Sequence, residues 1–157
     1  MKLITKIFCL VLLFVFSPLF IIITLIIICD DGAPIFFKQK RIGLNNKPFF
    51  IFKFRTMKKN TPNIATHLIK EVKNHYTKTG PILRKFSLDE LPQLINILKG
   101  DMSFIGPRPA LFNQYDLIHL RNKRGVQHIM PGITGWAQVN GRDELDLQQK
   151  VDFDSYY

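Results

Sequence analysis

The sequence predicts an α+β chain: an apolar N-terminal membrane helix, then a small, mainly helical domain containing a short β element. Three observations predict it. Ile7 to Cys29 is 23 residues without a charge, interrupted only by Ser17, Pro18 and Thr24. Phe49 to Arg55 is aromatic and β-prone, as a short strand requires. Apolar residues recur at helical spacing over Ile64–Tyr76, Leu88–Leu98 and Ala110–Arg124.

The apolar segment comes first. As a straight helix it would be about 34 Å long, enough to cross a bilayer core. A secretory signal is a poor reading, because the apolar region is too long and Cys29-Asp30-Asp31 is no small-residue cleavage site. Pro18 removes one helix hydrogen bond, and Ser17 can bond back to a carbonyl and favour a bend. Ten residues of the segment precede this pair and eleven follow it. Each half, at about 15 Å, reaches mid-bilayer. Two readings stand: a kinked span, or a re-entrant hairpin that leaves on the face it entered. Lys2 and Lys6 precede the segment and Lys38, Lys40 and Arg41 follow it. Basic flanks at both ends favour the hairpin.

The remainder is basic. The chain holds 22 Lys+Arg and 12 Asp+Glu; without Lys2 and Lys6, residues 30–157 keep 20 and 12, a net +8. Such a charge fits anionic lipid or a phosphorylated substrate. Nucleic acid is not expected, since no basic helix, helix-turn-helix or aromatic-basic motif occurs. At 157 residues and 46% hydrophobic, the chain is one compact domain and not a disordered one. Two cysteines, four scattered histidines and no Cys-x-x-Cys exclude a disulfide scaffold and a familiar zinc pattern.

Ala33 to Met57 reads as extended and turn-rich, with Gly43-Leu44-Asn45-Asn46 as the turn. Gly100 ends the Leu88–Leu98 helix near its C-cap. Gly106-Pro107-Arg108-Pro109 is a rigid loop, and Pro131–Arg142 is loop-rich around Trp136.

The chemistry concentrates in Leu83-Arg84-Lys85-Phe86-Ser87-Leu88-Asp89-Glu90-Leu91-Pro92-Gln93-Leu94. Two carboxylates open an apolar helix just after two cations. Capping explains them one way: Ser87 with Glu90 as a capping box, or Asp89 as N-cap with Pro92 in the first turn. An anion site explains them another way. Arg84 and backbone N–H groups can hold phosphates, while a carboxylate can bind Mg²⁺ or attack phosphorus. Arg108, fixed between two prolines, suits bidentate phosphate binding or is an exposed turn residue. Lys40, Arg41, Arg55 and Arg142 are further cations for phosphate, lipid or solvent.

Together these segments resemble the bacterial sugar transferases that are monotopic phosphoglycosyl transferases. The resemblance runs over nearly the whole chain. It includes Ser17-Pro18, Gln39-Lys40-Arg41-Ile42-Gly43, Phe52-Lys53-Phe54-Arg55-Thr56-Met57, the Ser87–Leu94 stretch, Lys99-Gly100-Asp101-Met102-Ser103, Gly106-Pro107-Arg108-Pro109 and Pro131-Gly132-Ile133-Thr134-Gly135-Trp136. It implies a re-entrant membrane helix over 1–29, broken at Ser17-Pro18, and a cytoplasmic membrane-associated catalytic domain over 30–157.

The resemblance also implies an activity: transfer of a phosphosugar from a UDP-sugar to undecaprenyl (polyprenyl) phosphate, with release of UMP and a requirement for Mg²⁺. Asp89 matches the nucleophile that forms a covalent aspartyl–phosphosugar intermediate, and Glu90 its partner in proton transfer or metal binding. Arg84 and Arg108 match the phosphate-binding arginines. The place implied is the cytoplasmic face of a bacterial inner membrane, at the first membrane step of glycan assembly, with downstream glycosyltransferases as partners.

Three departures accompany the resemblance. Phe8 and Cys9 stand where the family carries an acid. Asp143-Glu144-Leu145-Asp146 is more acidic than the family's stretch. The family continues for some tens of residues beyond a segment like Asp154-Ser155-Tyr156-Tyr157, so the expectation is a C-terminally truncated member. The alternative expectation is therefore a catalytically inactive member that binds UDP-sugar or partner enzymes.

Overall fold

The computed structural model describes residues 3–62, 71–141 and 144–157. It is α+β. Two helices, α1 (Leu3–Val15) and α2 (Ser17–Asp31), are followed by a hairpin of β1 (Phe36–Ile42) and β2 (Pro48–Phe54). Short helices α3 (Val72–His75), α4 (Gly80–Lys85) and α5 (Gln93–Lys99) come next. Then follow β3 (Ser103–Ile105), β4 (Ala110–Leu111), α6 (Tyr115–Lys123), β5 (Gly132–Thr134), α7 (Trp136–Val139) and α8 (Leu147–Asp154). The strands form one sheet of order β2-β1-β4 and one parallel pair, β3-β5. The chain divides into two compact units, residues 1–39 with 52–95 and residues 40–51 with 96–157.

The first unit begins with the bent helix pair. The break at Phe16 falls where Ser17-Pro18 predicts it, and the helix axis bends by 55° from α1 to α2. Pro18 lies in the first turn of α2, where its missing N–H costs nothing. The Ser17 hydroxyl donates back to the Phe14 carbonyl at 2.7 Å. No single described helix is long and apolar enough to cross a membrane; the bent pair together has the length and composition. Its surface is apolar nearly all round: Ile7, Val11, Phe14, Ile22 and Leu25 are each more than half exposed. On α1, Cys9 is buried and its thiol donates to the Leu94 carbonyl at 3.0 Å; on α2 one stripe packs inward. Ile23 and Ile27, one turn apart, join Phe54 of β2 and Leu83 of α4 in a buried cluster edged by Leu19, Phe20 and Ile35. Burying four such side chains contributes about 1.5–3 kcal/mol each.

The predicted strand Phe49–Arg55 is β2, one residue out of step, and the predicted turn is a 3-10 turn, Leu44–Asn46. Asn45 and Asn46 adopt left-handed φ values of 52° and 59°, which asparagine tolerates. Three expectations need correction. The Leu88–Leu98 helix starts only at Gln93; Leu88–Glu90 is a separate 3-10 turn. Ser87 makes no capping hydrogen bond there, because at a left-handed φ of 54° its backbone lacks the extended geometry that a cap uses. Ala110–Leu111 is a strand, not the start of a helix, since it pairs with β1 in the register Arg41↔Leu111 and Ile42↔Ala110. The loop-rich Pro131–Arg142 contains β5 and α7. Ile64–Lys70 of the expected Ile64–Tyr76 helix lie outside the described residues, and Val72–His75 forms a single turn of helix.

In the second unit, Ala110, Leu117 and Val151 form the core with Ile118 and Leu120. Asp146 and Gln149 close a capping box at the start of α8. The Arg121 guanidinium donates to buried Asp154 at 2.9 Å, joining α6 to α8. Glycines set the β3–β5 pair. A Cβ on Gly132 would lie 2.2 Å from the Gly106 nitrogen, and one on Gly135 2.2 Å from the Gly106 oxygen. Hence the Gly106–Pro109 and Pro131–Trp136 motifs are two sides of one backbone contact.

Candidate active site

The first unit holds the carboxylate pair. Asp89 lies in the 3-10 turn between α4 and α5 and is 5% exposed. Burial pushes its carboxyl above the ordinary value, with Glu90 adding to the rise; Lys53 and Arg84 oppose it. Glu90 accepts a hydrogen bond from the Lys53 ammonium at 2.8 Å, and both side chains are largely buried. Arg84, on the last turn of α4, donates from Nε to the Thr56 hydroxyl at 2.9 Å and from Nη1 to the Tyr76 hydroxyl at 3.3 Å. Its guanidinium carbon stands 5.1 Å from the Tyr76 ring centroid, a cation–π contact. A carboxylate only partly neutralised by its surroundings thus lies in the field of two cations.

Arg55 has a different set of partners. Its guanidinium pairs with the Asp31 carboxylate and reaches the carbonyls of Asp31 at 3.2 Å, Gly32, and Pro34 at 2.6 Å. It ties the end of α2 to the end of β2.

The second unit carries Lys40, Arg41 and Arg108. Lys40 Nζ is 5.7 Å from the Phe112 ring centroid, and Arg41 donates to the Pro109 carbonyl at 3.0 Å. Arg108 is half-buried in the loop between β3 and β4, whose base is fixed by Gly106 N–H to Thr134 O at 2.9 Å and Gly132 N–H to Pro107 O at 3.0 Å. Asp101 accepts from Asn96 and pairs with Lys99, so it is part of the α5 exit. Arg142, Asp143 and Lys2 lie outside the described residues.

Sequence reasoning missed Lys53, Thr56 and Tyr76 as partners of the site. Lys53 left a signal: it is the only charged residue among the aromatic and aliphatic side chains of β2. Tyr76 left none, because its contact with Arg84 is made across a turn.

Such a site, a buried carboxylate dyad with cations beside it and an apolar bent helix pair on the same unit, suits phosphoryl transfer at a lipid surface. The chain belongs to the bacterial sugar transferase family, which it matches over residues 1–157. It is 48% identical over 126 residues to EpsL of Bacillus subtilis, named an uncharacterized sugar transferase, covering 80% of this chain and 61% of EpsL. It is 35% identical over 162 residues to the exopolysaccharide production protein ExoY of Sinorhizobium fredii, covering 90% of this chain and 69% of that one. It is 39% identical over 153 residues to the UDP-glucose:undecaprenyl-phosphate glucose-1-phosphate transferase of Escherichia coli K12, covering 93% of this chain but 33% of that protein. The chain therefore spans only part of each relative, from 33% to 69% of its length.

Proposed function

We propose that this chain transfers a phosphosugar from a UDP-sugar to undecaprenyl phosphate, releasing UMP, through a covalent intermediate on Asp89. The observation that carries the reading is the buried Asp89 beside a Lys53-held Glu90, with Arg84 on the same unit. The relatives' names point to the same substrate classes.

In the first step a carboxylate oxygen of Asp89 attacks the sugar-side phosphorus of the diphosphate. The bond from that phosphorus to the bridging oxygen breaks, and UMP leaves with that oxygen and its electron pair. In the second step an oxygen of the lipid phosphate attacks the same phosphorus, and the phosphorus–Asp89 bond breaks to restore the carboxylate. Arg84 holds phosphate oxygens, where a guanidinium binds two at once; Arg108 has a phosphate-binding role by its match to the family motif alone. Glu90, held by Lys53, moves a proton at the entering or leaving phosphate oxygen. The covalent route lets one cationic site serve donor and acceptor in turn.

Mg²⁺ is the proposed cofactor, and Asp89 and Glu90 are the residues that would hold it. In phosphoryl-transfer sites this ion takes one or two carboxylates from the protein and further oxygens from the phosphates and water. Asp89 and Glu90 supply that number, and among the described residues no third His, Cys, Asp or Glu joins them. When bound, Mg²⁺ supplies positive charge against the developing charge on the phosphoryl oxygens.

The α1–α2 pair serves as a re-entrant anchor that holds the site at headgroup height on the cytoplasmic face of a bacterial inner membrane. Its bend at Ser17 and its apolar outer surface support this.

The test is UMP release in nanodiscs with Mg²⁺, undecaprenyl phosphate and a panel of UDP-sugars. Release should need lipid, metal and Asp89, and the phosphorus should keep its configuration, because two in-line displacements each invert it. Near-normal turnover by Asp89→Asn, or inversion at phosphorus, would refute the covalent route.

A further inference from the structure

The last two residues of α2 are adjacent carboxylates, and neither belongs to the dyad. Asp30 accepts from the Thr79 amide at 2.8 Å, from the Thr79 hydroxyl at 2.7 Å and from the Lys78 amide at 3.3 Å. Thr79 is the N-cap residue of α4, and its own side chain makes no capping bond to that helix. Asp30 therefore fixes the start of α4 from outside, and Arg84 lies on that helix's last turn. Asp31 pairs with Arg55, the residue just before Thr56. The Thr56 hydroxyl accepts from Arg84 Nε at 2.9 Å, and its carbonyl accepts from the Thr77 amide at 3.2 Å. Two short routes thus run from the end of α2 to one guanidinium. One passes through Thr79 and α4, the other through Arg55 and Thr56. The two meet again at Gly80, where a Cβ would lie 2.1 Å from the Thr56 carbonyl oxygen.

We propose that Asp30 and Asp31 are positioning residues for Arg84, coupling the seating of the apolar helix pair to the placement of a phosphate-binding guanidinium. The inference rests on the reading that Arg84 holds substrate phosphate. Each carboxylate acts by geometry: it touches no substrate, and removing it lets α4 or the strand end that carries Thr56 drift. Such a shift matters, because a 1 Å misplacement remote from the reacting atoms can cost about a hundredfold.

The experiment measures kcat/KM for the UDP-sugar, by UMP release from the full chain in nanodiscs. Asp30→Ala should lower it about tenfold, mainly through KM. Asp30→Asn, which keeps an oxygen able to accept from Thr79, should stay within about threefold of the parent. In an Arg84→Lys background Asp30→Ala should cost less than about twofold, since the placement it supported is already lost. Asp31→Ala is the second variant, with the same expected loss of effect in that background. Melting temperature and membrane fractionation accompany each variant. Equal losses in both backgrounds, or full activity of Asp30→Ala and Asp31→Ala, would overturn the proposal. If Arg84→Lys itself left kcat/KM unchanged, the phosphate role of Arg84 would fail, and the positioning role with it.

Discussion

Replacing Asp89 by asparagine should stabilise this protein at neutral pH while stopping its chemistry. Asp89 is 5% exposed, and its carboxyl titrates above the ordinary value of about 3.8 because burial outweighs the pull of Lys53 and Arg84. The sign follows from linkage. Below about 3.8 the carboxyl is protonated in both folded and unfolded chains and contributes nothing. As pH rises, the unfolded chain releases its proton first, so stability falls until the folded carboxyl ionises as well. Above that point the penalty is complete, at about 1.4 kcal/mol for each unit between the two values. Asparagine has nearly the same shape and no charge, so it removes the penalty. For a chain of this size each kcal/mol regained raises the melting temperature by about 2–4 °C. The assay is thermal melting of both proteins in detergent, without substrate or divalent cation, from about pH 3.5 to 8, a range that brackets the ordinary carboxylate value. The two curves should coincide at the acid end and separate as pH rises, with Asp89→Asn the more stable. A less stable Asp89→Asn at neutral pH, or a gap independent of pH, would refute the reasoning.

Two further outcomes follow from the same geometry. The acid limb of kcat/KM for UMP release should lie above the ordinary carboxylate range, since Asp89 must be ionised to attack; a limb at or below about 4 would contradict its burial. Gly80→Ala should lower stability by about 1–3 kcal/mol, because its Cβ meets a backbone oxygen that cannot turn aside. The same variant should slow UMP release by moving Arg84 off Thr56, and a melt and a rate that both match the parent would show that the close approach is not needed.

What the sequence made legible is local. The break at Ser17-Pro18, the Asn45-Asn46 turn and strand β2 depend on residues that fix their own backbone, by a missing N–H, a tolerated left-handed φ or β-prone side chains. The adjacent carboxylates of the site were legible because they are neighbours in the chain. What was not legible depends on partners far away in sequence. Ala110–Leu111 is a strand only because β1 lies beside it, with Ile42 opposite Ala110 and Arg41 opposite Leu111. Lys53 stands out in the sequence as the one charge in an apolar strand, but its partner Glu90, 2.8 Å away, is 37 residues on. Arg55 reads as a phosphate ligand by charge alone, whereas its guanidinium is occupied by the turn after α2. Charge shows what a residue can bind, and only packing shows what already binds it.

The mutual contact of Gly106, Gly132 and Gly135 bears on how this chain can vary. Each glycine's missing side chain is the space that another part of the backbone fills. A first alanine at any of the three forces β3 and β5 apart, so a second should cost little more than the first, and the three positions behave as a single unit. Positions such as Ile105 and Val139, two-thirds exposed at 66% and 67%, have side chains outside that contact and should accept substitution far more readily.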